Sequence, residues 1–201
     1  MNNYNPNIHH RKSIRLKGYD YSQAGLYFIT ICVHDKKCLF GKIENNEMIL
    51  NDAGKIAGEC WLKIPEHFPN VVLHDHIIMP NHVHWIIELI KTDLSAIDSV
   101  VPVGVENFQP LQSPNESPWN EFQKIIPHSI GSIIRGYKIG VTKWFRNNPV
   151  GAVGVGNFQP LPIWQRNYYE HIIHDEKSYE RISEYIINNP KNWKEDNFLN
   201  E

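Results

Sequence analysis

The apolar positions along the chain follow strand-like spacing in some segments and helix-like spacing in others. Residues 25–33 form a run rich in β-branched and aromatic side chains, which predicts a strand. Four further runs have the same character and also predict strands: 39–43, 47–50, 71–78 and 82–89. The polar residues 44–46 and the turn residues 79–81 predict tight connections between neighbouring strands. A short edge segment is expected over 163–173.

Three segments instead repeat apolar residues every three or four positions, which predicts amphipathic helices. The first is capped by Asn51 and ends at or near Pro65. The second runs over about 127–145, and the third opens at Asp175 and stops at Asn189. Strands interleaved with helices predict an α+β fold, in which helices pack on a mostly antiparallel sheet.

Two long segments are predicted as loops inserted into one domain spanning 1–201. The first, 91–126, lacks periodicity and is rich in proline, and the second covers 147–163. The nine residues 103–111 recur almost unchanged as 153–161, one copy in each loop. Because surface loops tolerate added length at little cost, we expect both copies to be surface insertions.

The overall charge does not indicate a nucleic-acid-binding protein, since the 201-residue chain carries a net charge of −2. Positive charge is concentrated in an N-terminal arm over 1–20, whose cations could pair with phosphates: Arg11, Lys12, Arg15 and Lys17. A solvated terminus without a function is the alternative. The three cysteines lack the spacing of a metal site. Without a signal peptide or long apolar stretch, we expect a cytoplasmic protein that does not engage a membrane.

Two histidines, His82 and His84, stand two residues apart at the start of the predicted strand 82–89. On a strand, such residues project from one face, about 6.6–7 Å apart, while Val83 and Trp85 point to the other. Two neutral imidazoles could therefore share a divalent metal. We expect them after a turn at the edge of a sheet, where a substrate can reach them. A catalytic ion would need a third ligand, and two ordinary strand histidines are the alternative.

A second pair with the same spacing, His74 and His76, lies inside the preceding strand. Nothing downstream completes this pair as a metal site, so we assign it a structural role. The two-residue period predicts that both histidines share one face of the strand, with Leu73, Asp75 and Ile77 on the other.

A candidate nucleophile, Tyr185, lies in the last predicted helix, one turn from both Arg181 and Asn189, so the three share a face. A free tyrosine has a pKa of about 10, so a nucleophilic tyrosine needs a nearby cation or base. Arg181 could hold a phosphate, and the amide oxygen of Asn189 could reach a metal. A tyrosine that merely borders the core is the alternative, and Tyr168 and Tyr169 are competing nucleophiles.

Three motifs, in this order and spacing, resemble the REP-associated tyrosine transposases, relatives of the HuH single-tyrosine transposases of insertion sequences. The motifs are Met-Pro-Asn-His-Val-His at 79–84, Trp-Gln-Arg-Asn-Tyr-Tyr-Glu-His at 164–171, and Tyr-Ile-Ile-Asn-Asn-Pro at 185–190. With residues 11–33, the resemblance covers most of the chain outside the two loops that carry the repeat.

The resemblance implies a fold and a site. The fold would be a ferredoxin-like, RRM-like antiparallel sheet with helices packed on it. His82 and His84 would bind Mg²⁺ or Mn²⁺, Asn189 would complete the metal site, and Tyr185 would be the nucleophile. Arg181 and the basic arm are the candidates for contact with DNA.

The resemblance also implies an activity. The protein would nick and join single-stranded DNA beside REP-like hairpins through a covalent 5′-phosphotyrosine, as a monomer or a homodimer. Two alternatives remain open. One is a catalytically retired module that binds hairpin DNA or RNA, and the other is a phosphodiesterase that uses water, which would keep cleaving without Tyr185.

Overall fold

The computed structural model describes residues 19–91, 126–148 and 162–193. The strands and helices are, in chain order, β1 (Gly25–Cys32), β2 (Gly41–Glu44), β3 (Glu47–Leu50), α1 (Asp52–Leu62), α2 (Ile64–His67), β4 (Val71–Ile78), β5 (His82–Leu89), α3 (Ile130–Asn147), β6 (Tyr169–Ile173) and α4 (Glu176–Asn188). The basic arm with Arg11, Lys12, Arg15 and Lys17 lies outside the described residues, as do both copies of the repeat.

The centre of the fold is a four-stranded sheet in the order β4-β5-β1-β6, in which every neighbouring pair is antiparallel. Helix α1 lies between β1 and β4 along the chain, and α3 lies between β5 and β6. This βαββαβ order is the ferredoxin-like arrangement, so the predicted fold class is confirmed. Strands β2 and β3 form a separate hairpin, and α4 is an additional helix after the last strand.

The two faces of the sheet carry different layers. Helices α1 and α3 cover one face over the larger core, where Trp61 and Trp85 have ring centroids 4.4 Å apart and Tyr137 lies 4.7 Å from Trp85. Such aromatic pairs add about 0.5–1.5 kcal/mol beyond the burial of their area. Helix α4 covers the opposite face through a smaller buried cluster: Phe28, Ile86, Ile173, Ile182 and Ile186.

The local signals in the sequence act as predicted. Asn51 caps α1 by accepting a hydrogen bond from the backbone of Gly54, and Asp175 caps α4 in the same way. The turn between β2 and β3 consists of Asn45 and Asn46, both with positive φ, as a two-residue hairpin turn requires. Helix α1 ends at Leu62, shortly before Pro65, where its end was predicted. Pro65 itself lies in the first turn of α2.

One of the sheet's strands, β4, contains a bulge opposite β5. Leu73 pairs with Ile87 and His76 pairs with Trp85, so two residues of β4 occupy the place opposite one residue of β5. A bulge of this kind shifts the alternation of side chains by one position beyond it.

The bulge places His74 and His76 on opposite faces of the sheet. The Nδ1 atom of His74 lies 3.3 Å from the hydroxyl of Tyr179 in α4. The ring of His76 packs against Trp61 in α1, with centroids 5.2 Å apart. The prediction that the two histidines share a face is therefore wrong, because the two-residue period on which it rested does not continue through a bulge. Within the described ranges, no helix has the length and apolar character needed to span a bilayer.

Two glycines of α1 have opposite surroundings and provide a matched test of the packing. A Cβ atom at Gly54 would collide with the carbonyl oxygen of Phe40, whereas one at Gly58 would meet nothing within 4 Å. Alanine is the better helix former by about 1 kcal/mol. We expect Gly58→Ala to raise the free energy of unfolding by up to about 1 kcal/mol, and Gly54→Ala to lower it by about 1–3 kcal/mol. Urea denaturation measures both, and equal effects would contradict the close contact between α1 and Phe40.

Candidate active site

The histidine pair lies at the start of β5, on the face of the sheet that α4 covers. His82 and His84 have ring centroids 4.4 Å apart, and their exposed fractions are 0% and 1%. Val83 belongs to the core on the other face, as the alternation predicts. Strand β5 is one of the two central strands, so the expected position at an edge of the sheet is wrong. The order of strands is decided by long-range pairing, which the local pattern does not contain.

Hydrogen bonds fix the orientation of His82. The side-chain amide nitrogen of Asn81 donates to the carbonyl of Lys36 at 3.1 Å, which turns its oxygen toward the histidine. That oxygen lies 2.7 Å from Nδ1 of His82. Because an amide oxygen only accepts, Nδ1 of His82 carries the proton and Nε2 holds the lone pair.

A second hydrogen bond orients His84 from the neighbouring strand. The hydroxyl of Thr30 lies 2.8 Å from Nδ1 of His84, and the two residues are direct partners across the β1–β5 ladder. With Nδ1 engaged by Thr30, Nε2 of His84 faces away from the sheet toward α4. Ligand histidines in metal sites are commonly held through the other ring nitrogen in this way.

Helix α4 brings two of the predicted residues onto the pair. The hydroxyl of Tyr185 lies 3.2 Å from Nε2 of His84, and the two ring centroids are 5.1 Å apart. Asn189 is 2% exposed, and its side chain lies close enough to His82 to raise the pKa of that ring, against the larger effect of burial, which lowers it. The structure therefore brings His82, His84, Tyr185 and Asn189 together, while their chemical roles stay predictions.

The docking of α4 depends on the bulge in β4. Ser183 donates a hydrogen bond of 2.6 Å to the carboxylate of Asp75, which also accepts one from Tyr179 at 3.4 Å. His74, the other residue of the bulge, lies 3.3 Å from the Tyr179 hydroxyl and 3.2 Å from Glu88. These bonds supplement the apolar cluster under α4 and set the rotation of the helix that carries Tyr185.

A groove of about 480 Å³ opens beside the pair. Its lining includes Thr30, His84 and Tyr185, together with Phe28 and Tyr169. The ring of Phe28 stacks on His84 at 5.5 Å, and its centroid lies 6.2 Å from those of both tyrosines. Aromatic rings along a groove provide surfaces on which nucleic-acid bases can stack.

The donor atoms suit a divalent cation that keeps open positions. Two neutral imidazoles and the amide oxygen of Asn189 would supply three ligands. In the part of the chain that the structure describes, no group of three or more His, Cys, Asp or Glu side chains could hold a metal ion. The two imidazoles and the amide oxygen would leave coordination positions open, as in a catalytic site, whereas a structural zinc site usually has four protein ligands.

Burial keeps both histidines neutral. Loss of solvent lowers the pKa of His82 to about 3, and it lowers the pKa of His84 well below the usual value, with a further decrease caused by His82. A histidine must be neutral to bind a cation, so this environment favours metal binding at neutral pH.

The structure differs from the sequence predictions in two further respects. Arg181 is exposed and lines another groove, with His171, His174 and Lys177, so the structure does not bring it into the groove at Tyr185. The sequence reasoning also missed four side chains that orient or cover the site: Phe28, Thr30, Asn81 and Trp193, whose ring lies 6.1 Å from His82. Asn81 lies inside the Met-Pro-Asn-His motif, whereas Thr30 is recognisable only from the strand register.

The burial of His82 predicts a stability that depends on pH. The unfolded chain takes up a proton at this residue as the pH falls below about 6.5, while the folded chain does not until about pH 3. Stability is therefore lost on acidification, by about 2 kcal/mol at pH 5 from His82 alone. Urea denaturation in EDTA at pH 7.5 and 5.0 should show this loss, and His82→Gln should reduce it by that amount. The control variant, His171→Gln, replaces an exposed histidine and should lose as much stability on acidification as the wild type. Equal losses in His82→Gln and His171→Gln would contradict the explanation.

Comparisons with known proteins agree with this architecture. An uncharacterized protein of Haemophilus influenzae strain Rd is 47% identical over 193 residues, which cover 96% of this chain and 95% of that protein. A solved structure of the REP-associated tyrosine transposase bound to a REP hairpin covers 94% of this chain and 76% of its own, with 15% identity and a TM-score of 0.53. No protein-family model matches the chain. The chain therefore belongs to the same family as the Haemophilus influenzae protein, and its fold is that of the REP-associated tyrosine transposase.

Proposed function

We propose that the protein is a REP-associated tyrosine transposase that cuts and joins single-stranded DNA beside a hairpin. The observation that carries the proposal is the position of the Tyr185 hydroxyl, 3.2 Å from Nε2 of His84 and beside the buried partner His82. A tyrosine in a groove next to two oriented, neutral histidines is an arrangement suited to the transfer of a phosphodiester. The motifs, the fold and the geometry all support the same chemistry.

In this proposal, the Tyr185 oxygen attacks the phosphorus of a phosphodiester held in the groove. The new bond joins tyrosine to the 5′ phosphate, and the bond from phosphorus to the 3′ oxygen breaks. The phenol loses one proton and the departing 3′ oxygen takes up one, which leaves a free 3′ hydroxyl. That hydroxyl can attack the phosphotyrosine in reverse, so joining strands needs no external energy source.

The remaining residues orient the reacting groups. Thr30 and Asn81 orient the two imidazoles through their Nδ1 atoms, and Nε2 of His84 lies against the Tyr185 hydroxyl. His82, His84 and Asn189 would hold Mg²⁺ or Mn²⁺, which when bound would polarise a phosphate oxygen and stabilise charge at phosphorus. Phe28 and Tyr169 offer stacking surfaces, and such stacking contributes about 1–3 kcal/mol per base.

The first test is a covalent adduct. The protein would be incubated with Mg²⁺ or Mn²⁺ and with single-stranded DNA, labelled at its 3′ end, that carries the hairpins flanking its gene. We expect a labelled protein band on a denaturing gel, which Tyr185→Phe abolishes because it removes the hydroxyl that lies 3.2 Å from Nε2 of His84. Tyr169→Phe is the matched control, since Tyr169 lines the same groove and should keep the adduct.

Two results would contradict tyrosine-mediated transfer. Cleavage without a labelled band, unchanged in Tyr185→Phe, would assign the reaction to water. Binding without cleavage in either metal would assign the protein to the class of hairpin-binding modules.

The second test asks whether the site works within one chain. Helix α4 packs on the sheet of its own chain, where Tyr185 reaches His84. We therefore expect co-expressed His84→Gln and Tyr185→Phe chains to form no adduct together, as neither contains a complete site. A dimer that exchanges α4 would recover activity, because one of its two sites would combine the intact histidine with the intact tyrosine. Each variant co-expressed with wild type provides the control for yield and folding.

A further inference from the structure

A second groove, of about 760 Å³, runs along the exposed side of α3 and is lined by cations. Arg135, Lys138, Lys143 and Arg146 project from the helix, and Arg166 comes from the segment before β6. Arg135 and Lys138 are three residues apart, as are Lys143 and Arg146, so each pair shares a side of the helix, and all four line the groove. We call this surface the α3 groove.

The single sign of its charge distinguishes the α3 groove from an ordinary solvated helix face. An exposed amphipathic helix usually mixes acids with bases, whereas α3 contains no acidic residue from Ile130 to Asn147. Five of the chain's 20 lysines and arginines line this groove, although the chain as a whole carries a net charge of −2. The helix dipole explains a cation in the last turn, such as Arg146, but not cations along the whole length.

Hydrogen bonds from Lys138 build the wall of the groove. Its ammonium donates to the carbonyls of Gln165 at 2.8 Å and Asn167 at 3.3 Å. The same nitrogen lies 6.0 Å from the centroid of the Tyr168 ring. Lys138 therefore holds the segment before β6 against α3 and places Arg166 beside the other cations.

The α3 groove adjoins the groove at the candidate nucleophile. Tyr168 lines both, while Gln165 and Asn167 line the groove that contains His84 and Tyr185. The segment that Lys138 holds is thus the boundary between the two. A polymer that passes Tyr185 can cross Tyr168 and continue along α3.

We propose that the α3 groove binds the phosphodiester backbone of the DNA that extends beyond the cleavage site. This inference rests on the proposed function, because it identifies where the rest of that substrate lies. Arg135 and Arg146 are eleven residues apart, or about 16 Å along a helix. At 3.4 Å of axis per nucleotide of one B-form strand, this length matches roughly five nucleotides. Contacts of this kind give affinity without sequence preference.

The test measures binding rather than cleavage and uses full-length protein with Tyr185→Phe, so that no DNA is cut. The probes are labelled hairpins with a 20-nucleotide or a 4-nucleotide single-stranded extension, and a duplex of the same total length. On this background, Lys143→Gln with Arg146→Gln removes two cations of the α3 groove. Lys42→Gln with Lys55→Gln is the matched control, since both lysines are exposed and line neither groove.

We expect the α3 variant to lower the slope of log affinity against log salt by about 1 for each cation removed. At 100 mM salt this corresponds to a loss of roughly 10- to 100-fold in affinity for the long probe. The control should keep the parent slope, and the charge-conserving pair Lys143→Arg with Arg146→Lys should keep it as well. A loss confined to the long single strand or to the duplex identifies which form of DNA occupies the groove.

Three results would overturn the inference: an unchanged slope in the α3 variant, an equal decrease in the control, or an equal loss on the 4-nucleotide probe. Binding to phosphatidylserine vesicles that falls in the α3 variant, while DNA binding does not, would instead assign the surface to a membrane. The adduct assay keeps the two proposals separate. If the α3 variant shows a decreased slope but the protein with intact Tyr185 forms no adduct, DNA binding by the α3 groove is supported and strand transfer is rejected. If the adduct forms but the slope is unchanged, strand transfer is supported and DNA binding by the α3 groove is rejected.

Discussion

The candidate site depends on α4 lying across the face of the sheet from which the two histidines project. Ile182 and Ile186 bury one side of the helix against Phe28 and Ile86. Residues three positions further along, Tyr185 and Asn189, consequently reach His84 and His82. An apolar cluster alone permits some rotation of a helix, whereas the hydrogen bond from Ser183 to Asp75 has a direction. The bulge in β4 supplies that acceptor, so an irregularity in an outer strand controls the geometry above a central one.

Burying two histidines carries a cost that the fold offsets locally. Thr30 and Asn81 satisfy the Nδ1 atoms, and burial holds both rings neutral. The same hydrogen bonds engage only Nδ1 of each ring, and Nε2 of His84 meets the Tyr185 hydroxyl. Stability is lost at acidic pH as a consequence, since these histidines bind protons in the unfolded chain but not in the folded chain. Under the proposed function, this loss of stability is a consequence of keeping two neutral histidines buried beside the nucleophile.

Regular elements could be predicted from the sequence, and departures from regularity could not. The shared face of His82 and His84 is confirmed because β5 is uninterrupted, while the same reasoning fails for His74 and His76 because β4 contains a bulge. The hairpin turn and the helix caps follow from short-range chemistry that local sequence encodes. The central position of β5 and the part played by Thr30 depend on pairings between distant segments. The residue pattern offered Tyr185 and Asn189 as candidates beside open alternatives, and the resemblance singled out their roles.

Charge links the two grooves in the proposed function. The donor set at the histidines is neutral, so a divalent cation bound there would lack a negative partner until a phosphate arrived. DNA in the groove would supply that charge, and each ligand would therefore favour the binding of the other. The α3 groove adds attraction for the same polyanion at a distance from the chemistry, and a chain with a net charge of −2 needs such local attraction. Affinity would then come from α3 and the aromatic rings, which leaves the buried histidines free to act on the phosphate alone.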